Sequence, residues 1–143
     1  MRASFALHNG TIDGGFLLHH GELLSLQQIL QLHSQYLKWQ TEENWGLGED
    51  YHAEYIDGPI QPFWWHPSRL PLTDNSGDGV MIDFAPAPGG QVGQIVEFDH
   101  EVGPRRVFAA SFGQWLNDLA DGLENGEYIY YPEELTVGPP GIW

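Results

Sequence analysis

The 143-residue sequence predicts an α+β fold, with a mostly antiparallel, twisted sheet and a few packed helices. Two segments show clear helical periodicity, whereas short apolar runs typical of strands are numerous. These runs do not alternate regularly with helices, as βαβ units would require. Eighteen glycines and ten prolines interrupt the chain, which favours antiparallel hairpins and irregular loops.

The helical segments are predicted from their first residues and their periodicity. The first begins at Ser25, which has Gln28 three residues later as in a capping box, and it should end near Gln40. The second begins at Ser111, with Gln114 in the same relation, and Gly126 supplies a stop. Apolar residues recur at helical spacing in both, in the second at Phe112, Trp115, Leu116, Leu119, Ala120 and Leu123.

Short apolar runs bounded by glycine, proline or polar residues are predicted as strands. They are residues 15–18, 22–24, 70–72, 80–84, 92–98, 106–109 and 127–131. The run 80–84 is apolar except for Asp83, which indicates a central strand that is covered on both faces. We expect one domain over residues 1–136, followed by an extended or frayed tail over residues 137–143.

Composition narrows the functional classes. Twenty acidic residues against five basic ones give a net charge of -15, which repels nucleic acid and anionic membranes and attracts basic partners. Solubility is the alternative explanation of this charge. The absence of cysteine excludes a disulfide scaffold, a thiol nucleophile and a cysteine-bound metal. Without a signal-peptide core or an apolar run of about 20 residues, the sequence predicts a cytoplasmic protein.

The most informative segment is FWWHPSRLPLTDNSGDGVMIDFAPAPGGQVGQIVEFDHE, residues 63–101. Two tryptophans precede a turn bracketed by prolines, a Gly/Asp-rich loop leads into an apolar strand, and a Pro-Gly loop leads into a second strand. This order resembles the SMI1/KNR4 family of the SUKH superfamily, with its W-x-P, D-x-x-G-D-x-x-x-x-D and G-Q elements. The matching residues are Trp65, Pro67, Asp74, Gly77, Asp78, Asp83, Pro88, Gly89, Gly93 and Gln94.

Other parts of the chain extend this resemblance. Residues 7–10 are similar to the family's hydrophobic-x-N-G element, residues 23–26 to its L-L-S-L helix start, and Ser111-Phe112 to its closing S-F segment. Family members usually carry one or two helices before the N-G element, whereas this chain begins almost there. We therefore expect a shortened N-terminus. The resemblance implies an SMI1/KNR4-like fold and a non-enzymatic interaction domain.

Several motifs could carry chemistry, and each has a structural interpretation beside it. Residues 74–79 look like the start of a calcium loop, but position twelve is Ala85 instead of a bidentate Glu, so a turn is favoured. Asp83 either accepts backbone hydrogen bonds or acts as a general acid or base. The histidines lack the i, i+4 pairing of a helical metal site; His33 fits a core position, and His66 could close a pocket. No cofactor or metal is predicted.

An acidic and aromatic stretch is the candidate partner-binding surface. Charge would steer a basic protein while aromatic rings supply contact area. Its residues are Glu42, Glu43, Trp45, Glu49, Asp50, Tyr51, Glu54 and Asp57, in a loop after the first helix. Trp64 and Trp65 should point to opposite faces, so either one is exposed as an anchor or both are core. A second acidic set is Asp118, Asp121, Glu124, Glu127, Glu133 and Glu134.

Three functions follow from these observations. The first, which the resemblance implies, is an immunity protein that binds and neutralises a basic, nuclease-type toxin. The second is a regulatory or scaffold protein, for example of cell-wall synthesis, with no toxin partner. The third is a small metal-dependent hydrolase that uses Asp74, Asp78, Asp83 and His66.

Overall fold

Two sheets and two α-helices make up the part of the chain that the structure, a computed structural model, describes: residues 9–11, 15–17, 20–43 and 53–141. The helices are α1 (Leu26–Glu43) and α2 (Phe112–Glu124), and a 3-10 helix covers Ala53–Tyr55. The strands are β1 (Phe16–Leu17), β2 (Glu22–Leu23), β3 (Arg69–Pro71), β4 (Thr73–Asp74), β5 (Gly79–Asp83), β6 (Gln94–Asp99), β7 (Gly103–Ala109), β8 (Ile129–Tyr131) and β9 (Thr136–Gly138).

The strands form a five-stranded sheet in the order β4-β2-β1-β9-β8 and a four-stranded sheet in the order β3-β5-β6-β7. All neighbouring strands are antiparallel except β1 and β9, which are parallel. The predicted α+β class with mostly antiparallel strands is therefore confirmed. Within the described ranges, no helix is long and apolar enough to cross a membrane.

One continuous segment, residues 69–74, belongs to both sheets. Its first half, β3, pairs with β5, and its second half, β4, pairs with β2. Leu72 lies between them: its N–H donates to the Val80 carbonyl (2.9 Å) and its carbonyl accepts from the Leu24 N–H (2.9 Å). The sequence predicted a single strand over 70–72 and missed β4, because a two-residue strand is defined by its partner and has no periodicity of its own.

The core lies on both faces of the four-stranded sheet. All of β5 is buried, as predicted for a central strand. Val80 and Ile82 pack in one cluster with Phe112 and Trp115 from the first turn of α2. Met81 packs in a second cluster that contains Trp64 and Trp65. Alternation along one strand therefore assigns its apolar side chains to two separate clusters.

Both helices start as the sequence predicts. In α1 the capping box is complete, since the Ser25 N–H donates to Gln28 Oε1 (2.8 Å) and the Gln28 N–H donates to Ser25 Oγ (3.3 Å). Asn9 Oδ1 also accepts from the Leu26 N–H (2.8 Å), so the N-G element caps this helix; Leu7 and His8 lie outside the described residues. In α2 only Ser111 Oγ acts as a cap.

The end of α1 and the C-terminal tail differ from expectation. Helix α1 continues to Glu43, because no glycine or proline stops it near Gln40, so Glu42 and Glu43 lie on a helix and not in a loop. The predicted boundary after residue 136 falls inside β9, which pairs with β8 and β1. The tail beyond it is fastened to β8, since Tyr131 Oη donates to the Pro139 carbonyl (2.7 Å) and accepts from the Gly141 N–H (2.9 Å).

Candidate interaction site

The D-x-x-G-D part of the family motif forms the hairpin turn between β4 and β5. Ser76 (φ 57°) and Gly77 (φ 101°) occupy its two central positions, and both have the positive φ that a type I′ turn requires. Asp74 Oδ1 accepts the Gly77 N–H (3.0 Å), and Asp78 Oδ1 accepts the His100 N–H (2.9 Å). The turn interpretation thus agrees with the structure: the Asp74 carboxylate bonds within its own turn, and the Asp78 carboxylate bonds to the turn between β6 and β7.

Asp83 lies fully buried at the end of β5, opposite Arg69 in the register of β3. Its Oδ1 is 3.7 Å from Arg69 Nε and accepts the Ala85 N–H at 3.0 Å. The Arg69 guanidinium donates to the carbonyls of Gln61 (2.7 Å) and Phe63 (2.9 Å). Burial lowers the pKa of Arg69 to about 10, and the charge of Asp83 opposes that shift. The predicted role of Asp83 as a backbone acceptor is what the geometry shows.

The G-Q element joins the same network from the other side. The Gly93 N–H donates to the Asp83 carbonyl (2.7 Å), and Gly93 has a φ of 87°. Gln94 Nε2 lies within bonding distance of the Pro59 carbonyl (3.1 Å) and Asp83 Oδ2 (3.3 Å). The polar residues of the motif therefore bond to backbone and to one another, fastening the segment before β3 to the β5–β6 hairpin.

Trp64 and Trp65 are both buried, so neither is available to a partner as an exposed anchor. Their rings flank Tyr36 of α1, at centroid distances of 5.4 Å and 5.8 Å. Trp64 also packs edge-on against Phe98 (5.2 Å) and donates to the His100 carbonyl (3.0 Å). The alternative in which both are core holds, because α1 covers the side of this segment that alternation would leave exposed.

The residues proposed for a hydrolase do not converge. Asp74 and Asp78 lie at one end of β5 and Asp83 at the other, about 16 Å from Asp78 at roughly 3.3 Å per strand residue. His66 Nδ1 accepts the Ser68 N–H (3.1 Å), and burial, followed by the charge of Arg69, lowers its pKa.

The remaining motif positions and His33 are structural. Pro67 is exposed, and its carbonyl is bonded to His33 Nε2 at 2.8 Å. His33 is half-buried and not part of the core, and its ring packs edge-on against the buried Trp65 at 5.0 Å.

A cleft of about 240 Å³ lies beside the turn between β4 and β5, where the sequence analysis weighed a calcium loop and favoured a structural turn; Asp99 and Arg105, which also line the cleft, were not among the predicted site residues. Asp78, Asp99 and His100 place potential ligand atoms within 4.8 Å of one another. His100 Nδ1 is bonded to Asp78 Oδ1 at 2.8 Å, which raises the pKa of His100, and Asp99 lies 3.6 Å from Arg105 Nη1. These groups come from two turns that are distant in sequence, so no spacing rule could bring them together.

Acidic charge is unevenly compensated over the surface. Each basic residue in the described ranges has a carboxylate within 4.0 Å, in the pairs Lys38–Glu42, Arg69–Asp83, Arg105–Asp99 and Arg106–Glu97. No Lys, Arg or His follows Arg106 in the sequence, whereas six acidic residues do: Asp118, Asp121, Glu124, Glu127, Glu133 and Glu134. All six are exposed.

The first acidic surface predicted from the sequence is only partly described. Glu42 is exposed near the end of α1, and Glu54 is exposed in the 3-10 helix. Asp57 is exposed beside β7, where its N–H donates a hydrogen bond to the Arg105 carbonyl (2.6 Å). Trp45, Glu49, Asp50 and Tyr51 lie outside the described residues.

Comparison with known proteins gives a consistent set of similarities. The sequence model of the SMI1 / KNR4 family (SUKH-1) matches residues 1–118. The chain is 33% identical over 93 residues to the cell wall biosynthesis/cell cycle regulator smi1 of Schizosaccharomyces pombe, covering 62% of this chain and 18% of that protein. It is 37% identical over 70 residues to the cell wall assembly regulator SMI1 of Saccharomyces cerevisiae, covering 48% and 14%. A glucan synthesis regulatory protein of Neurospora crassa is 34% identical over 71 residues, covering 49% and 13%.

Proposed function

Because this chain belongs to the SMI1 / KNR4 family, we propose that it is a regulatory domain that acts by binding a protein partner and not by catalysis. The observation that carries the proposal is the naming of its relatives as regulators of cell-wall assembly and glucan synthesis. The matched region spans less than a fifth of these relatives. The partner of this chain is therefore inferred from its own surface.

Two features of the chain support a binding role. The polar residues of the family motif are occupied in holding loops together, as at Asp83, Gln94 and Asp78, which favours a scaffold over a reaction centre. The basic residues are neutralised locally while acidic residues remain on the surface, which favours a partner with a basic face. Such a surface accelerates association through electrostatic steering.

An immunity protein is the second candidate, and the same acidic surface supports it. A nuclease toxin presents basic groups that hold phosphate, and an acidic inhibitor would cover them. The names of the relatives favour the regulatory function over this one.

Affinity capture from lysate of the source cells, at low and high salt with mass spectrometry, tests the proposal. We expect to capture one host protein with a basic surface, which high salt releases. Calorimetry with the purified partner should then show one-to-one binding. A basic nuclease as the stoichiometric partner would replace the regulatory function with immunity. Absence of any stoichiometric partner at both salt concentrations would overturn the binding role.

Charge variants then locate the contact. Neutralising Glu42, Glu43, Glu54 and Asp57 tests the first acidic surface, and neutralising Asp121, Glu124, Glu133 and Glu134 tests the second. Each set removes the same formal charge, so each is the matched control for the other. We expect one set to slow association severalfold and to flatten its salt dependence. Equal, small effects of both sets would contradict steering by a defined surface.

A further inference from the structure

We propose that the outer edge of β8 binds an extended, basic segment of the partner protein as an additional strand of the five-stranded sheet. This inference rests on the proposed binding function and names the surface and the chemistry of the partner. The strand begins at Ile129, eleven residues beyond the end of the family match at residue 118. The surface is therefore not one that the match itself accounts for.

The first observation is the position of β8 in its sheet. It is the terminal strand of the order β4-β2-β1-β9-β8 in the described part of the chain, and it pairs on one side with β9. The register is Ile129↔Gly138, Tyr130↔Val137 and Tyr131↔Thr136. In an antiparallel pair, alternate residues direct their N–H and C=O groups away from the partner strand. The outer side of β8 thus offers backbone groups that a further strand can bond.

The second observation is the side chains of this edge. Edge strands are commonly protected by charged side chains, proline, a bulge or shortness. Strand β8 reads Ile-Tyr-Tyr and carries no charge, although it has only three residues and Pro132 follows it directly. Ile129 is 39% exposed and Tyr130 56% exposed. β-Branched and aromatic residues have high strand propensity, and tyrosine is enriched at binding interfaces. The side chains of this edge are therefore suited to pairing, and the shortness of β8 and Pro132 limit the length of the added strand.

Contacts with α2 and with the segment after β9 hold strand β8 in place. The Tyr128 N–H donates to the Gly122 carbonyl (3.0 Å), and the Tyr128 ring lies where a side chain at Gly122 would be, which fixes the start of β8 against α2. Tyr131 is fastened to the chain that follows β9. A strand whose neighbours hold it does not have to be ordered on binding, which lowers the entropic cost.

Charge identifies the occupant as a basic chain. Glu127 lies two residues before β8, Glu133 and Glu134 follow it, and Glu124 lies at the end of α2, with no basic residue after Arg106 to balance them. A second copy of this chain would bring the same carboxylates to the same edge, and like charges that face each other oppose pairing. Lysine or arginine side chains alternating along an extended segment would instead meet these carboxylates. Since three residues supply few backbone bonds, we expect a weak, salt-sensitive complex.

A synthetic peptide tests both parts of the inference. The probe is a blocked nine-residue peptide of alternating lysine and valine, and its control is the same peptide with alternate backbone amides methylated, which keeps the charge but removes half of the donors. We expect saturable binding of the probe in fluorescence anisotropy, slower hydrogen exchange at the backbone amides of 129–131, and about tenfold weaker binding of the methylated peptide. Equal binding of the two peptides, or slower exchange elsewhere without change in β8, would overturn strand addition.

Two protein variants complete the test. Tyr130→Lys places a positive charge on the edge, and Val92→Lys makes the same change at a 69% exposed apolar residue of the Pro-Gly loop. We expect Tyr130→Lys to weaken probe binding several-fold and Val92→Lys to leave it nearly unchanged. Equal effects of the two variants would show general attraction and refute the edge. If a captured partner binds the Tyr130→Lys variant as tightly as the wild type, the strand-addition inference is refuted while the proposed binding function stands. If the probe binds at β8 but no cellular partner is found, the proposed binding function is refuted and the strand-addition surface stands.

Discussion

The buried pair of Arg69 and Asp83 leads to the most quantitative prediction. Asp83→Ala removes a fully buried carboxylate and leaves the guanidinium, also fully buried, with only carbonyl oxygens as partners. At the 3.7 Å that separates Nε from Oδ1, two unit charges attract by about 4.5 kcal/mol with an effective dielectric constant of about 20. Loss of one partner of a buried pair typically costs about 3–5 kcal/mol, and the orphaned Ala85 N–H adds about 1 kcal/mol.

The carbonyls of Gln61 and Phe63 continue to stabilise the guanidinium, so we expect a net loss of about 4 kcal/mol in the free energy of unfolding. Urea unfolding followed by tryptophan fluorescence measures this loss, since the buried Trp64 and Trp65 report on the adjacent cluster. Asp121→Ala, at an exposed position, is the control and should change stability by less than about 0.5 kcal/mol.

A double variant separates charge from packing. Arg69→Met with Asp83→Leu removes both charges, and we expect it to recover part of the lost stability, because no uncompensated charge remains in the core. A loss below about 1 kcal/mol in Asp83→Ala, or a double variant less stable than Asp83→Ala, would refute the reasoning.

Three further predictions concern the turn and a helix cap. NMR titration should give His100 a pKa above its ordinary 6.5, and Asp78→Asn should return it towards that value; the reverse result would contradict the hydrogen bond. Because the folded-state pKa is the raised one, the pair stabilises fully below the unfolded pKa, and this stabilisation is lost as pH rises through the folded pKa. Ser76→Asn should raise the free energy of unfolding in urea by about 0.5 kcal/mol, since Asn accepts positive φ more readily than Ser. Gly77→Ala should lower it by more than about 1 kcal/mol, because Gly77 has a φ of 101° and the added Cβ would lie 3.0 Å from His100 Cβ. Ser111→Ala should cost about 1 kcal/mol through the loss of its bond to the Gln114 N–H, and an unchanged midpoint would show that the cap contributes nothing.

Local chemistry accounts for what could be predicted from the sequence. Ser25 and Ser111 mark helix starts through bonds made within three residues, and the Asn75–Asp78 turn follows from residues that accept positive φ. The central position of β5 follows from an apolar run between glycine and proline. Each of these features depends on neighbours in the chain, so each is legible without knowledge of the tertiary structure.

What could not be predicted depends on contacts between distant residues. The pairing of Arg69 with Asp83 follows from the register of β3 on β5, and no spacing rule identifies it. The burial of both Trp64 and Trp65 follows from the position of Tyr36 on α1. Strand β9 has too few residues to show a period and exists because β8 and β1 pair with it.

The parallel pairing of β1 with β9 has a consequence for the order in which the chain folds. Strands β5, β6 and β7 follow one another as hairpins, so their contacts close short loops, whereas Phe16 meets Thr136 only after a loop of nearly the whole chain has closed. Long loops close slowly, and in a chain made from its N-terminus β1 lacks its parallel partner until β9 has been synthesised, whereas β2 can already pair with β1 and β4. We expect pulsed hydrogen exchange during refolding to protect the amides of β5 and β6 before those of β9; simultaneous protection would contradict this order.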